Sequence, residues 1–166
     1  MFSVIFPGQG SQTVGMGKDL HSKHDIIKKL FKEADDILGF SISNVILEGP
    51  KEKLNLTENT QPAIFLLGYS IFNLLKKENF IDLNKAKFFA GHSLGEYTAL
   101  ASAEVLSFSE TLKILRIRGD AMQNSVPKGE GGMVAVLGSD IKKIEDIINN
   151  NSKLYECFIA NDNSDG

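Results

Sequence analysis

The chain has a single cysteine, Cys157, among its 166 residues. That excludes an internal disulfide and a cysteine-built zinc site, and it fits a reducing compartment. No apolar stretch approaches the roughly 18 residues a membrane-spanning helix needs. The longest, Pro62 to Tyr69, is interrupted by Gly68. There is no excess of basic charge either: the formal net charge is −3, which gives no positive field for nucleic acid. Met1 to Phe6 runs straight into a strand candidate, leaving no room for a charged leader and cleavage site, so the expectation is a cytoplasmic protein. Internal repeats and low-complexity segments are absent. What remains is an ordinary globular composition, 42% hydrophobic and 23% charged, long enough for one domain or one domain plus a piece of another.

Periodicity organises the chain as alternating strands and helices. Phe2 to Phe6 reads as a strand, closed by Pro7 and the turn Gly8-Gln9-Gly10-Ser11-Gln12. From Asp19 to Leu38 the apolar residues recur at helical spacing, and Gly39 is a natural stop. Ile42 to Leu47 reads as one or two more helical turns, followed by the breaker Gly49-Pro50 and a polar connection. A second long helix is expected from Thr60, as its cap, to about Glu78, with Pro62 in the first turn. Ala86 to Ala90 suits a buried strand and Leu94 to Ala103 a helix, and Ser107-Phe108-Ser109-Glu110 is a capping box opening a helix to about Asn124. That order predicts an α/β fold with a largely parallel sheet. Beyond it, 126–132 reads as a loop, Gly132 to Gly138 as a strand, Ser139 to Asn150 as a helix and Leu154 to Ala160 as a strand, a separate β-α-β unit.

The chemistry centres on Gly91-His92-Ser93-Leu94-Gly95-Glu96-Tyr97, which has the form of a serine nucleophile on a sharp strand-to-helix turn. Glycines on both sides let strand and helix approach closely, and the helix N-terminus directs N–H groups toward the serine oxygen. A serine needs a base to take its proton. Of the three histidines, His21 and His24 sit among lysines on the first long helix, and His92 points away from its neighbour Ser93, in a supporting position. On the residues alone, either the base lies outside these 166 residues or the serine performs no covalent chemistry. Oxyanion donors are expected from the Leu94 N–H and from a turn after a neighbouring strand, for which Gly8-Gln9-Gly10 is a candidate no better than even against an ordinary glycine turn. Arg116 and Arg118 lie two apart on a helix and face different directions, so one can be solvated while the other points inward; unaided, the sequence favours plain surface arginines over that arrangement.

Several motifs in one order nevertheless resemble the malonyl-CoA:acyl carrier protein transacylases of fatty acid synthesis. They are Phe6 to Gln12 with Gly15-Met16-Gly17, Thr60-Gln61-Pro62-Ala63, the Gly91 to Tyr97 elbow, Arg118-Gly119 with Met122, and Ala160-Asn161-Asp162-Asn163-Ser164. The resemblance covers the whole chain but about the first half of a family member. It implies a hydrolase-like α/β core over 1–127 and the first half of a ferredoxin-like subdomain over 128–166. It implies that Ser93 is the acylated nucleophile, that the backbone N–H groups of Gln9 and Leu94 form the oxyanion hole, and that Arg118 pairs with the malonyl carboxylate. The family's catalytic histidine would lie beyond residue 166, so the 166 residues alone would not complete turnover. The partners it implies are malonyl-CoA and acyl carrier protein, with no cofactor, metal, nucleic acid or membrane. Asp162 and Asp165 depart from the family pattern, and no role is carried onto Asn161 or Asn163. Two rivals stand beside this reading. A serine hydrolase or thioesterase would use water in place of the carrier thiol, and a non-catalytic carrier-protein-binding module would keep the elbow as a vestige.

Overall fold

The structure, a computed structural model, describes residues 1–126 and 130–163. The chain divides into two compact units, Met1–Pro127 and Lys128–Gly166. Within the first, β1 (Phe2–Phe6) and β2 (Ala86–Gly91) form a parallel pair in which Val4 stands opposite Phe89 and Phe6 opposite Gly91. Parallel neighbours need a long crossover. Here it carries five helices: α1 (Lys18–Lys23), α2 (Asp25–Leu38), α3 (Ile42–Leu47), α4 (Lys51–Leu54) and α5 (Thr57–Glu78). After β2 come α6 (Leu94–Ser102) and α7 (Phe108–Asn124). The fold is α/β, as the alternation of elements predicts.

The helix α5 is the spine of this unit. Ala63, Phe65 and Leu66 are fully buried among Ile27, Phe31 and Ala34 of α2, Ile42 and Ile46 of α3, and Leu112 and Leu115 of α7. At its other flank Phe72 meets Phe6 of β1 and Phe89 of β2 edge to face, at 6.1 and 5.8 Å between ring centroids, which seats the sheet on the helix. Only that face of the sheet is covered among the described residues. Ile5 is 74% and Phe88 70% exposed, so β2 is not the buried strand its apolar run suggests; a parallel sheet is ordinarily covered on both faces.

Several boundaries move for identifiable reasons. The helical pattern from Asp19 to Leu38 is broken at His24, whose extended backbone (φ −122°, ψ 115°) ends α1 and starts α2. Periodicity is blind to a one-residue break that preserves the buried face. Gly39, in the left-handed region at φ 73°, ends α2 and donates to the Asp35 carbonyl at 2.9 Å. Helix α5 starts three residues before Thr60. The threonine hydroxyl instead donates to the Leu54 carbonyl at 2.6 Å, tying α5 back to α4, a helix where the residues alone predict a polar connection. Pro62 therefore sits in the second turn, where its missing N–H leaves the Glu58 carbonyl without a helical donor; Arg116 of α7 donates to that carbonyl at 3.0 Å.

Helix α7 opens with the full capping box: Ser107 Oγ accepts from the Glu110 N–H and the Glu110 carboxylate accepts from the Ser107 N–H. It crosses α5 at Gly119, where a Cβ would lie 2.7 Å from both the Glu58 Cα and the Thr57 carbonyl oxygen. In the second unit α8 (Ile141–Asn151) is capped by Asp140, whose side chain accepts from the Lys142 N–H, and no residue of this helix is buried. The strands expected at 132–138 and 154–160 do not form. A strand exists through its ladder partner, and among the described residues neither segment has one; Leu137 and Phe158 are left more than 80% exposed. Part of the expected 126–132 loop, with Ser164 and Asp165, lies outside the described residues. No helix among the described residues is long and apolar enough to cross a membrane.

Two outcomes test this packing. Leu112→Ala should lower the unfolding free energy by about 2–5 kcal/mol and Gly119→Ala by about 1–3 kcal/mol, both read as lower urea midpoints at unchanged slope. The capping box gives a pH dependence. Hydrogen bonds from the Ser107 side chain, and then from its backbone, hold the Glu110 carboxyl below the ordinary glutamate value. Its contribution is therefore complete above that ordinary value and is lost as pH falls through the lowered one. Thermal melts across acidic pH should show a shallower acid decline for Ser107→Ala than for the parent protein.

Candidate active site

The site is assembled at the C-terminal ends of the two parallel strands. At the end of β2 the chain turns directly into α6 through His92 and Ser93, and Ser93 takes φ 54°, ψ −113°. A non-glycine residue there carries roughly 1–3 kcal/mol of backbone strain. The turn holds because its flanks have no side chains in the way: a Cβ on Gly91 would overlap the Gly95 backbone, and a Cβ on Gly95 would lie 2.7 Å from the Pro7 carbonyl oxygen. The His92 carbonyl accepts from the Gly95 N–H at 2.9 Å, closing the turn, and the His92 N–H donates to Phe6 at 3.2 Å, extending the β1–β2 ladder to its last step. His92 thus ties the turn through its backbone. His21 packs on Phe31 and His24 separates α1 from α2.

The turn after β1 lies against this elbow. Gly8 comes so close to His92 that a Cβ would lie 2.7 Å from the imidazole Nδ1 and 2.8 Å from the carbonyl oxygen. The same turn is pinned to the start of α5: Gln9 Nε2 donates to Thr57 Oγ1 at 3.3 Å and Gln12 Nε2 to Asn55 Oδ1 at 3.0 Å. The Gln9 side chain is therefore directed to Thr57. Among the described residues, the backbone N–H groups of Gln9 and Leu94 donate to no protein acceptor.

The two arginines of α7 part company. Arg116 is a strut: it donates to the Glu58 carbonyl and to Asn59 Oδ1, pairs with the Glu58 carboxylate at 3.3 Å and lies over the Phe40 ring at 5.1 Å. Arg118 enters the site. Its Nη2 donates to Ser93 Oγ at 3.0 Å, its Nη1 donates to Gln61 Oε1, and its guanidinium carbon lies 5.7 Å from the centre of the Tyr97 ring. Among the described residues no carboxylate comes within salt-bridge distance of Arg118. The preference for plain surface arginines is corrected by these contacts: α7 crosses α5 closely enough that neither side chain is simply solvated. Gln61 and Tyr97 are site residues that sequence reasoning left without a role. The signal for Gln61 was present, a glutamine heading the apolar run Pro62 to Leu67. No cluster of three or more metal-ligating side chains occurs among the described residues.

A serine held at positive φ on a sharp turn between a parallel strand and a helix is the geometry of the nucleophile-elbow class of α/β proteins, to which this chain adds an arginine on the hydroxyl. Comparison with known proteins narrows that class. The chain belongs to the acyl transferase domain family, which matches residues 3–164. It is 46% identical over 143 residues to the malonyl CoA-acyl carrier protein transacylase of Haemophilus influenzae, covering 86% of this chain and 45% of that one. It is 41% identical to the transacylase of the same name from Bacillus subtilis, over 99% of this chain and 51% of the other. Among solved structures, the acyl-carrier-protein-S-malonyltransferase of Bartonella henselae superposes with a TM-score of 0.90 at 43% identity, covering 98% of this chain and 52% of that one. A malonyl-transacylase solved in complex with a type II PKS acyl-carrier protein superposes at 0.85 with 36% identity, over 92% of this chain and 48% of that one. The chain spans about half the length of the curated relatives it matches.

The contrast between the arginines is measurable. Arg116→Ala, which strips charged hydrogen bonds from the α5–α7 contact, should cost about 1–3 kcal/mol in chemical denaturation, and Arg118→Ala should cost less.

Proposed function

We propose that the full-length protein transfers a malonyl group from malonyl-CoA to the phosphopantetheine thiol of acyl carrier protein, in fatty acid biosynthesis in the cytoplasm. The observation that carries this reading is Arg118: a guanidinium on the nucleophile, 3.0 Å from Ser93 Oγ, with no carboxylate partner of its own among the described residues. A free cation beside a nucleophile suits an acyl group that ends in a carboxylate, which the planar fork can grip through two hydrogen bonds. Ser93 attacks the thioester carbonyl, and the oxyanion that develops is received by the N–H groups of Leu94 and Gln9. CoA leaves as the thiol, and a malonyl-serine ester remains. The carrier thiol then attacks that ester and restores Ser93, a ping-pong exchange of one thioester for another that calls on no cofactor.

In this reading the proton acceptor is a histidine outside residues 1–166, in keeping with a chain that spans about half the length of its relatives. Residues 1–127 are then the hydrolase-like core, and 128–166 the opening of a ferredoxin-like subdomain, with α8 as its first helix. The relatives' names and the solved carrier-protein complex support malonyl transfer over hydrolysis.

The full-length protein incubated with malonyl-CoA should acquire a malonyl adduct on the peptide containing Ser93, seen by mass spectrometry and absent from Ser93→Ala. A folded protein that stays unlabelled would favour the non-catalytic reading. Arg118→Ala should lower malonyl transfer by roughly tenfold to a hundredfold, the scale for losing a hydrogen bond to a charged group, while acetyl transfer falls far less. Equal losses for both acyl groups would speak for a general esterase.

A further inference from the structure

We propose that Gln61 is a positioning and specificity residue that aims Arg118 while leaving its charge unspent, so that the malonyl carboxylate is the first anion the guanidinium meets. This rests on the reading of Arg118 given above. Gln61 is fully buried, an unusual place for an amide, and both its polar atoms are engaged. Its Oε1 accepts from Arg118 Nη1, and its Nε2 donates to Met122 Sδ at 3.3 Å. The thioether is a weak acceptor, and it orients the amide without adding charge. Arg118 therefore keeps one edge on Gln61 and turns the other, through Nη2, toward Ser93.

The contrast with Arg116 shows what a different partner would do. Two residues away on the same helix, Arg116 meets the Glu58 carboxylate as well as Asn59 and serves as a strut. A carboxylate in place of the Gln61 amide would pair with Arg118 and cancel its charge where the substrate needs it. An apolar side chain would leave the charge but lose the aim. Gln61 can reach Arg118 because α5 and α7 cross at Gly119, and the adjoining contact from the Thr57 N–H to Gln123 Oε1, at 3.2 Å, fixes the register of the two helices. The Thr60-Gln61-Pro62 segment thereby acquires a common purpose: Thr60 anchors α5 to α4, Gln61 aims Arg118, and Pro62 frees a carbonyl for Arg116.

The test uses the full-length protein and its Gln61→Glu, Gln61→Met and Arg118→Ala variants, with kcat and KM for acylation of Ser93 by malonyl and acetyl thioesters. Gln61→Glu should cut kcat/KM for malonyl by roughly a hundredfold, chiefly through KM, and collapse the malonyl-to-acetyl ratio. Gln61→Met, which keeps the charge, should lower the ratio by about tenfold. An unchanged ratio in either folded variant overturns the proposal, as does an equal loss for both thioesters, the mark of a merely structural residue. Should Gln61→Glu fail to fold, the near-isosteric Gln61→Met decides alone. If Arg118→Ala also keeps the ratio, the malonyl reading itself falls; if Arg118→Ala collapses it and the Gln61 variants do not, only the role given to Gln61 is lost.

Discussion

The crossing of α5 and α7 at Gly119 is the contact on which the site depends. With no side chain at that position, the helix backbones approach to a distance that a single Cβ would violate against both Glu58 and Thr57. Everything polar between the two helices follows from this approach. Arg116 reaches the carbonyl that Pro62 leaves open, Gln123 takes the Thr57 N–H, and Gln61 meets Arg118 and Met122. A wider crossing would put water in these gaps and let Arg118 swing freely. Protein interiors transmit such constraints because they are packed nearly as densely as crystals.

Ser93 is placed by a second close approach of the same kind. Gly91 and Gly95 let the β2–α6 turn close on itself, and Gly8 lets the end of β1 lie against it. The strain this imposes on Ser93 is borne by the hydrogen bonds His92 makes to Phe6 and Gly95 and by the burial of Leu94 beneath the helix start. Helix α5 is shared by both arrangements, through Phe72 under the sheet and Gln61 beside α7, so one rigid element sets the separation of serine and arginine. Side chains held in this way have surrendered their orientational freedom before any ligand arrives.

The chain belongs to the acyl transferase domain family, and its elbow serine carries an arginine on its hydroxyl. A guanidinium is a strong but undiscriminating anion receptor. The surroundings of Arg118 are neutral: an amide, a hydroxyl and an aromatic face rather than an acid. The nearby acid, Glu58, pairs with Arg116 instead.

Much of the local architecture was legible in the residues. The limits of β1, the stop at Gly39, the Ser107 capping box and the elbow around Ser93 all follow from short-range rules, because caps, glycine turns and alternating strands are decided within a few residues. The break at His24, the early start of α5 and the missing ladders on either side of α8 were not legible. Each turns on a hydrogen-bond partner or its absence that composition does not reveal. The division of labour between Arg116 and Arg118 was likewise invisible from spacing, which says only that they face different ways. By itself the sequence determined that this is an α/β chain with a strained serine between strand and helix. Only the tertiary structure decided which arginine meets that serine and which buried amide holds it there, because those partners lie 25 and 57 residues from Arg118 along the chain and are joined by a helix crossing rather than by local geometry.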